Sequence, residues 1–185
     1  MPETKPERIA AVVVTYNRKQ LLVECVDSLL RQTHRLDALY IMDNCSTDGT
    51  CEFLCDRGLI SPPEHQGDLP QETIRSVAPA DVRRGAVDVH YVRMPENAGG
   101  AGGFAEGMQR AAGAGFDWLW LMDDDLVALP DALAALVQKK ATLEASRHGP
   151  FILNSLVLAR GQPDDDMLAF PLREMNIWHY LMQKR

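Results

Sequence analysis

The sequence lacks a long apolar run, an apolar leader and an excess of positive charge. No stretch approaches the roughly 20 apolar residues that a helix needs to cross a bilayer, so no transmembrane segment is predicted. The start, MPETKPERIA, has no apolar core of the kind that directs secretion. The formal net charge of −7 argues against a broad electrostatic grip on nucleic acid or anionic lipid. We therefore expect a cytoplasmic protein that does not bind nucleic acid.

Two common patterns of catalytic and metal-binding residues are also missing. No G-x-S-x-G segment occurs, and the five histidines form no recognisable arrangement, so we expect them at the surface and find no support for Ser/His/Asp catalysis. The four cysteines form no C-x-x-C pair, although Cys51 and Cys55 are four positions apart. The sequence favours reduced thiols, and the alternative is a zinc site that also uses Cys45 and His65.

Apolar, β-branched runs alternate with helical patterns along the first part of the chain. IAAVVVT, residues 9–15, predicts a strand buried on both faces, and apolar residues every three to four positions over 21–30 predict a helix. DALYIMDN predicts a second strand, and Ser46 or Thr47 would cap a short helix over residues 50–57. This alternation predicts an α/β fold of one domain, with a mostly parallel sheet flanked by helices.

The same alternation continues after an interruption at residues 58–85. Four prolines in this segment predict a loop, with a short helix over 70–77. AVDVHYVRM and WLWLM predict the third and fourth strands, and between them NAGGAGGFAEGMQRAAGAG predicts a glycine-rich loop that enters a helix. Pro130 fits the first turn of a last helix, and FILNSLVLA predicts a fifth strand. The apolar face of that last helix would comprise Leu129, Leu133, Leu136 and Val137.

Polar or glycine residues follow four of the predicted strands. These segments are residues 15–18 (TYNR), residues 43–44 (DN), residues 97–103 (NAGGAGG) and residues 123–125 (DDD). Ligands of open α/β sheets bind beyond the carboxyl ends of the strands. One polar strand end is expected by chance, whereas four together predict a binding crevice.

The three adjacent aspartates after WLWLM carry the clearest chemistry. Crowded carboxylates repel one another, and a cation relieves that repulsion. Carboxylate oxygens are hard ligands that suit Mg²⁺ or Mn²⁺, and in an extended turn Asp123 and Asp125 would face one site. The alternative is a solvated acidic turn in which one aspartate caps the following helix.

The glycine-rich segment and Asp43 each allow two interpretations. The glycines would let backbone approach a ligand, with the following helix offering N–H groups to an anion, or they would form a connector with helix-packing glycines. Gly100, Gly102 and Ala105 also fit G-x-G-x-x-A, with Asp123 at about the distance of a ribose contact, which would indicate a nicotinamide-binding domain. Asp43 would accept a hydrogen bond from a base, or merely stand in a turn before an N-cap.

In their order and spacing, VVVTYNR, IMDNCSTDGT, PENAGGAGGFAEGM and WLWLMDDDLVALPDAL resemble family 2 glycosyltransferases of the GT-A fold. The glycine-rich version with an aspartate triple is most similar to galactofuranosyl- and rhamnosyltransferase-like members. The resemblance spans about residues 8–160. It implies a nucleotide-sugar-binding domain over 1–160 and the start of an acceptor-side region over 161–185, which would be truncated.

The resemblance implies an inverting transfer from a UDP- or dTDP-sugar to a glycan or a lipid-linked acceptor. Peripheral contact of the protein with the inner membrane face is compatible with this function. It assigns Thr15, Tyr16 and nearby Arg18 to the base pocket and Asp43 to the pyrimidine N3–H. It implies that the donor's ribose, diphosphate or sugar packs against Asn97, Gly99, Gly100, Gly102 and Gly103. Asp123 and Asp124 would approach the ribose and the donor sugar. Asp125, helped by Asp123, would hold Mg²⁺ or Mn²⁺, which bridges both phosphates.

The catalytic base of an inverting transfer is not evident. In the resembled family it lies well beyond the aspartate triple, and here 60 residues follow Asp125. Asp164, Asp165 and Asp166 are the candidates, although the preceding Gly-Gln-Pro suggests a hairpin loop. A catalytically incomplete nucleotide-binding module is therefore one alternative. Another is a haloacid-dehalogenase-type phosphatase, with Asp123 as nucleophile and Asp125 as acid, although that signature normally lies on the first strand.

Overall fold

The computed structural model describes residues 6–63, 71–78, 85–146, 152–153 and 155. Two compact units divide the chain, Met1–Ala135 and Leu136–Arg185, and the first contains every described strand. The described elements, in chain order, are β1 (Ile9–Thr15), α1 (Lys19–Leu30), β2 (Ala38–Asp43), α2 (Thr50–Asp56), β3 (Gln71–Val77), β4 (Val87–Arg93), α3 (Gly99–Gly113), β5 (Trp118–Asp123) and α4 (Ala132–Ser146).

The five strands form one sheet in the order β3-β4-β2-β1-β5. β1 pairs in parallel with β2 and β5, and β2 pairs in parallel with β4, whereas β3 runs antiparallel to β4. Every residue of β1 and β2 is buried, as continuous apolar runs in a parallel sheet require. The predicted α/β fold with a mostly parallel sheet is therefore confirmed.

Helix α3 packs directly on one face of the central strands, where Val12, Val14 and Met42 belong to the core cluster. The approach is close because the helix has glycine at the contact. A Cβ added at Gly107 would lie 2.4 Å from Cγ1 of Val12, and one added at Gly103 would lie 2.7 Å from Cγ1 of Val14. The helix predicted in this segment is confirmed, but it begins at Gly99, so the glycines from Gly99 to Gly103 lie in the helix and not in the predicted loop.

The prediction of a helix over 70–77 was also wrong, because residues 71–77 form strand β3. Its pairing with β4 is reinforced by side chains: Glu72 contacts His90 Nδ1 at 2.8 Å and Arg110 of α3 at 2.6 Å. His90 also stacks on Tyr40 with ring centroids 4.2 Å apart. His90 is therefore a largely buried partner of the edge strand, and not the surface residue that the sequence suggested.

Two smaller expectations need correction, and a third concerns residues that are mostly outside the described ones. Asp48, and neither Ser46 nor Thr47, accepts the hydrogen bond from the Thr50 N–H at the start of α2, at 3.1 Å. α4 begins at Ala132, so Pro130 lies in the turn before the helix. Most of FILNSLVLA and all of residues 161–185 lie outside the described residues, and 152–153 and 155 are not in a strand.

Candidate functional site

The carboxyl ends of β1, β2 and β5 meet at one edge of the sheet. In the strand register, Thr15 pairs with Asp43, and Val14 pairs with Asp123. β2 and β4 lie on one side of β1, whereas β5 lies on its other side. The order in which strands are added to the sheet therefore reverses between β1 and β5. Open α/β sheets bind ligands at such a switch point, which makes this edge the candidate site.

Asp124 is the buried member of the aspartate triple. Its side chain accepts a hydrogen bond from the Thr15 hydroxyl at Oδ2, at 2.7 Å, and one from Arg18 at Oδ1, at 3.3 Å. Burial raises the pKa of Asp124, and the bonds from Thr15 and Arg18 partly offset that rise. Asp124 therefore anchors the end of β5 to β1 and to the loop after it.

Asp123 and Asp125, on either side of Asp124, are exposed to solvent. The Arg18 guanidinium lies 3.4 Å from Oδ2 of Asp125 as well as beside Asp124, and both Arg18 and Asp125 side chains are about half exposed. Arg18 thus supplies positive charge to two of the three carboxylates. Both partners of the outer ion pair remain accessible to a ligand.

The donor set at this strand end fits Mg²⁺ or Mn²⁺. Asp123 and Asp125 offer exposed carboxylate oxygens, the ligands that these ions prefer. Over the described part of the chain, no three His, Cys, Asp or Glu side chains are grouped so as to hold a metal ion by themselves. Mg²⁺ commonly takes one or two protein carboxylates and completes its shell with water and phosphate oxygens, so Asp123 and Asp125 would be the residues to hold it.

Asp43, at the end of β2, is almost fully buried. Its Oδ2 accepts a hydrogen bond from the Tyr91 hydroxyl, and its Oδ1 accepts one from the Ser46 N–H at 2.8 Å. Burial, followed by the nearby Asp43 charge, raises the pKa of Tyr91, so the phenol keeps its proton and remains a donor. Tyr91 was missed by the sequence analysis, because only the parallel pairing of β2 with β4 brings it beside Asp43.

The glycines at the start of α3 have different surroundings. Gly99 has φ +70° and donates its N–H to Oδ1 of Asn97 at 2.9 Å, while a Cβ at Gly100 would meet nothing within 4 Å. A Cβ at Gly102 would lie 2.5 Å from Ala98 Cβ, and Gly103 packs on β1. Helix packing thus accounts for Gly103, whereas Gly99 and Gly100 leave exposed backbone at the first turn.

Asn44 ties the end of β2 to this first turn of α3. Its Nδ2 donates to the carbonyl oxygen of Gly99 at 3.1 Å, and its side chain is buried. Oδ1 of Asn44 is buried without a hydrogen-bond partner within the described structure.

Tyr16 is 44% exposed at the end of β1. The candidate base-catalyst residues Asp164, Asp165 and Asp166 lie outside the described residues, as does His65 of the zinc alternative. Cys25, Cys45, Cys51 and Cys55 are free thiols.

Solved structures share this architecture. The crystal structure of S. aureus TarS residues 1–349 in complex with UDP matches with a TM-score of 0.52 and 14% sequence identity, over 78% of this chain and 38% of that one. S. aureus TarS in another crystal structure gives a TM-score of 0.51 and 16% identity, over 74% of this chain and 20% of that one. At such identity the likeness shows the fold alone, and the fold is GT-A.

The family follows from the sequence. The family model described as glycosyl transferase family 2 matches residues 10–56 and 72–147, and the chain belongs to that family. Galactofuranosyltransferase GlfT1 of Mycolicibacterium smegmatis is 30% identical over 179 residues, which is 96% of this chain and 48% of that protein. GlfT1 of Mycobacterium tuberculosis is 34% identical over 177 residues, 93% of this chain and 46% of that protein.

These findings confirm the resemblance drawn from the motifs. The chain spans about half the length of the curated relatives it matches. Because the chain belongs to family 2, it is not assigned to the phosphatase or nicotinamide-binding classes that the sequence left as alternatives. Among the described residues, no helix has the length and apolar character needed to cross a membrane.

Proposed function

We propose that this chain is the donor-binding part of an inverting galactofuranosyltransferase that uses a UDP-sugar. The observation that carries the proposal is the meeting, at one sheet edge, of Thr15 and Arg18 with the aspartate triple and with Asp43. The names of the relatives, galactofuranosyltransferase, and the UDP in the TarS structure support the sugar and the nucleotide.

The base would lie between the exposed ring of Tyr16 and the Asp43 region. The Asp43 carboxylate already accepts bonds from Tyr91 and Ser46, and its remaining lone pairs make it an acceptor for a pyrimidine N3–H. A uracil or thymine carries that N–H, whereas cytosine does not. Asp43 would therefore contribute to the choice of UDP or dTDP over CDP.

The diphosphate would lie between the start of α3 and the exposed aspartates. Asn97 already accepts the Gly99 N–H, so the first-turn N–H groups from Gly100 onward would bind and orient phosphate oxygens, helped by the open space at Gly100. Asp125, with Asp123, would hold Mg²⁺ or Mn²⁺, which when bound offsets charge that develops on the departing diphosphate. Asp124, held by Thr15, would keep these neighbours in place beside the ribose and sugar.

Nucleotide titration of the 185-residue chain tests this proposal. UDP, dTDP, CDP and NAD are titrated by calorimetry with and without Mn²⁺. We expect UDP or dTDP to bind more tightly with Mn²⁺ than without it, and CDP and NAD to bind weakly or not at all. Equal binding of UDP and CDP, or binding of NAD alone, would refute the donor assignment.

A nucleotide-binding module without transfer activity is the second candidate. It is the alternative because the described residues place donor-side groups at the sheet edge, whereas the candidates for the catalytic base, Asp164, Asp165 and Asp166, lie outside the described residues. Incubation with a UDP-galactofuranose donor and a galactan acceptor separates the two candidates. Release of UDP with chain extension supports transfer, whereas nucleotide binding without product supports the module.

A further inference from the structure

One residue, Asn17, joins the loop after β1 to the loop after β2. Its backbone N–H donates to the Ser46 hydroxyl at 2.9 Å, and its Oδ1 accepts a hydrogen bond from the Thr47 N–H at 2.7 Å. The Thr47 hydroxyl lies farther away, at 3.5 Å from the same Oδ1. Both bonds cross about thirty residues of sequence, so they connect two separate segments of the site.

The backbone of Asn17 is in the left-handed region, with φ +55°. Asparagine tolerates this conformation better than other residues with a Cβ, whereas alanine is strained there. Cys45, on the facing loop, also has a positive φ, +63°. Within the described ranges these two residues are the non-glycine positions with positive φ, and one lies in each of the two joined loops.

The bonds made by Asn17 lead directly to residues of the proposed donor site. Tyr16 and Arg18 flank Asn17 in sequence, and Arg18 reaches Asp124 and Asp125. On the other side, Asn17 contacts the hydroxyl of Ser46. The Ser46 N–H in turn donates to Oδ1 of Asp43 at 2.8 Å. Asn17 therefore stands between the two walls of the base pocket.

We propose that Asn17 is a positioning residue that fixes the two loops as one unit and so sets Tyr16 and Arg18 relative to Asp43. Asn17 acts through its bonds to Ser46 and Thr47 and is not itself a donor-binding group. The inference rests on the proposed function, because the donor site is what the two loops would build.

A second connection should keep the fold intact when Asn17 is changed. Lys19 donates from Nζ to the carbonyl oxygen of Asp48 at 2.5 Å, and its N–H donates to Oδ2 of Asp48 at 3.3 Å. These bonds join the same two segments, two residues after Asn17 in the first and one residue after Thr47 in the second. Substitution of Asn17 is therefore expected to loosen the pocket and to leave the sheet and α1 folded.

Three substitutions separate the backbone conformation of Asn17 from its side-chain bond. N17D keeps an acceptor oxygen and tolerates the left-handed backbone, N17G keeps only the backbone, and N17A loses the bond and adds strain. We expect UDP affinity to fall by about three- to tenfold in N17G, the value of one hydrogen bond. N17A should lose on the order of a further fivefold or more, and N17D should stay closest to the wild-type affinity.

Thr47→Val is the matched control. It removes the hydroxyl at 3.5 Å and keeps the backbone N–H that donates to Asn17, so UDP affinity should change by less than about twofold. If N17G and N17A bound UDP as tightly as the wild-type chain, Asn17 would have no positioning role. Equal loss in N17D, N17G and N17A would also overturn the proposal, because neither the acceptor nor the backbone would then matter.

Amide hydrogen exchange provides a readout that does not depend on nucleotide binding. In the wild-type chain the Thr47 N–H is bonded to Asn17, so its exchange should accelerate by about three- to tenfold in N17G and N17A while amides of β1 and β2 are unchanged. Unchanged exchange at Thr47 would refute the coupling of the loops. If the wild-type chain bound no UDP, the proposed function would fail, whereas the exchange result would still decide whether Asn17 joins the loops.

Discussion

The Thr15 hydroxyl donates a 2.7 Å hydrogen bond to the buried carboxylate of Asp124, which lies 109 residues later in the chain. This bond joins the ends of β1 and β5 at the point where the sheet order reverses. It also holds the middle residue of the aspartate triple inside the protein, with Asp123 and Asp125 exposed on either side. The stability of the fold and the geometry of the proposed metal site therefore depend on the same contact.

Thr15→Val should destabilise the protein by about 1–3 kcal/mol, because it leaves a buried carboxylate oxygen without its donor. Chemical denaturation measures the free energy of unfolding. Thr73→Val is the matched control, since the buried Thr73 hydroxyl has no hydrogen-bond partner among the described residues and its removal should be neutral or stabilising. Equal losses in the two variants would contradict the role given to the Thr15–Asp124 bond.

Asp124 should make stability depend on pH. Its pKa is raised in the folded state, so the native protein retains a proton that the unfolded chain releases near pH 4. The free energy of unfolding should therefore fall as pH rises from about 4 to the raised pKa, and this contribution should be level above it. Asp124→Asn should remove this part of the fall, as measured by denaturation between about pH 4 and pH 7.

The comparison for that prediction is Asp123→Asn, which removes one exposed carboxylate from the same strand end. This variant should retain the wild-type fall in stability. A pH profile of Asp124→Asn that runs parallel to the wild-type profile would show that Asp124 does not cause the dependence.

Tyr91→Phe should cost about 1–3 kcal/mol of stability and weaken UDP binding, because the buried Asp43 carboxylate loses its donor. Tyr40→Phe is the control, since Tyr40 belongs to the core cluster under α3, on the opposite face of the sheet from Tyr91. Unfolding and UDP calorimetry measure both effects. If Tyr91→Phe bound UDP as tightly as the wild-type chain, Asp43 would not be the residue that binds the base.

Gly107→Ala should destabilise the protein by about 1–3 kcal/mol, because its new Cβ would overlap Val12 in a packed core. Gly113→Ala, in the same helix, meets nothing within 4 Å and should be neutral or stabilising by up to about 1 kcal/mol. Thermal unfolding of the two variants measures the difference. Similar melting temperatures would mean that α3 can move away from β1 without loss.

The sequence was most informative about the central strands and their ends. β1 and β2 are buried on both faces, so each appears as a continuous apolar run that ends abruptly in polar residues. Because parallel strands end at one edge, the polar ends after β1, β2 and β5 could be predicted to meet. The same ordered motifs carried the resemblance to family 2, which the family model confirms.

The sequence was least informative where distant contacts decide the structure. β3 has charged residues within a weak apolar pattern, and its strand conformation depends on pairing with β4 and on the bonds of Glu72 to His90 and Arg110. The glycines of α3 would disfavour a helix in isolation, yet they allow it to approach β1 closely. Tyr91 reaches Asp43 only through the pairing of β4 with β2. None of these contacts is visible in a local window of sequence.

Mn²⁺-dependent UDP binding by the wild-type chain and by Asp125→Ala is the most direct test of the proposed site. Calorimetry should show that Mn²⁺ tightens UDP binding to the wild-type chain and that this gain is lost in Asp125→Ala, while binding without metal is retained. Asp131→Ala, which removes an exposed carboxylate before α4, should behave as the wild-type chain. If Asp125→Ala kept the full gain from Mn²⁺, the aspartate triple would not be the metal site.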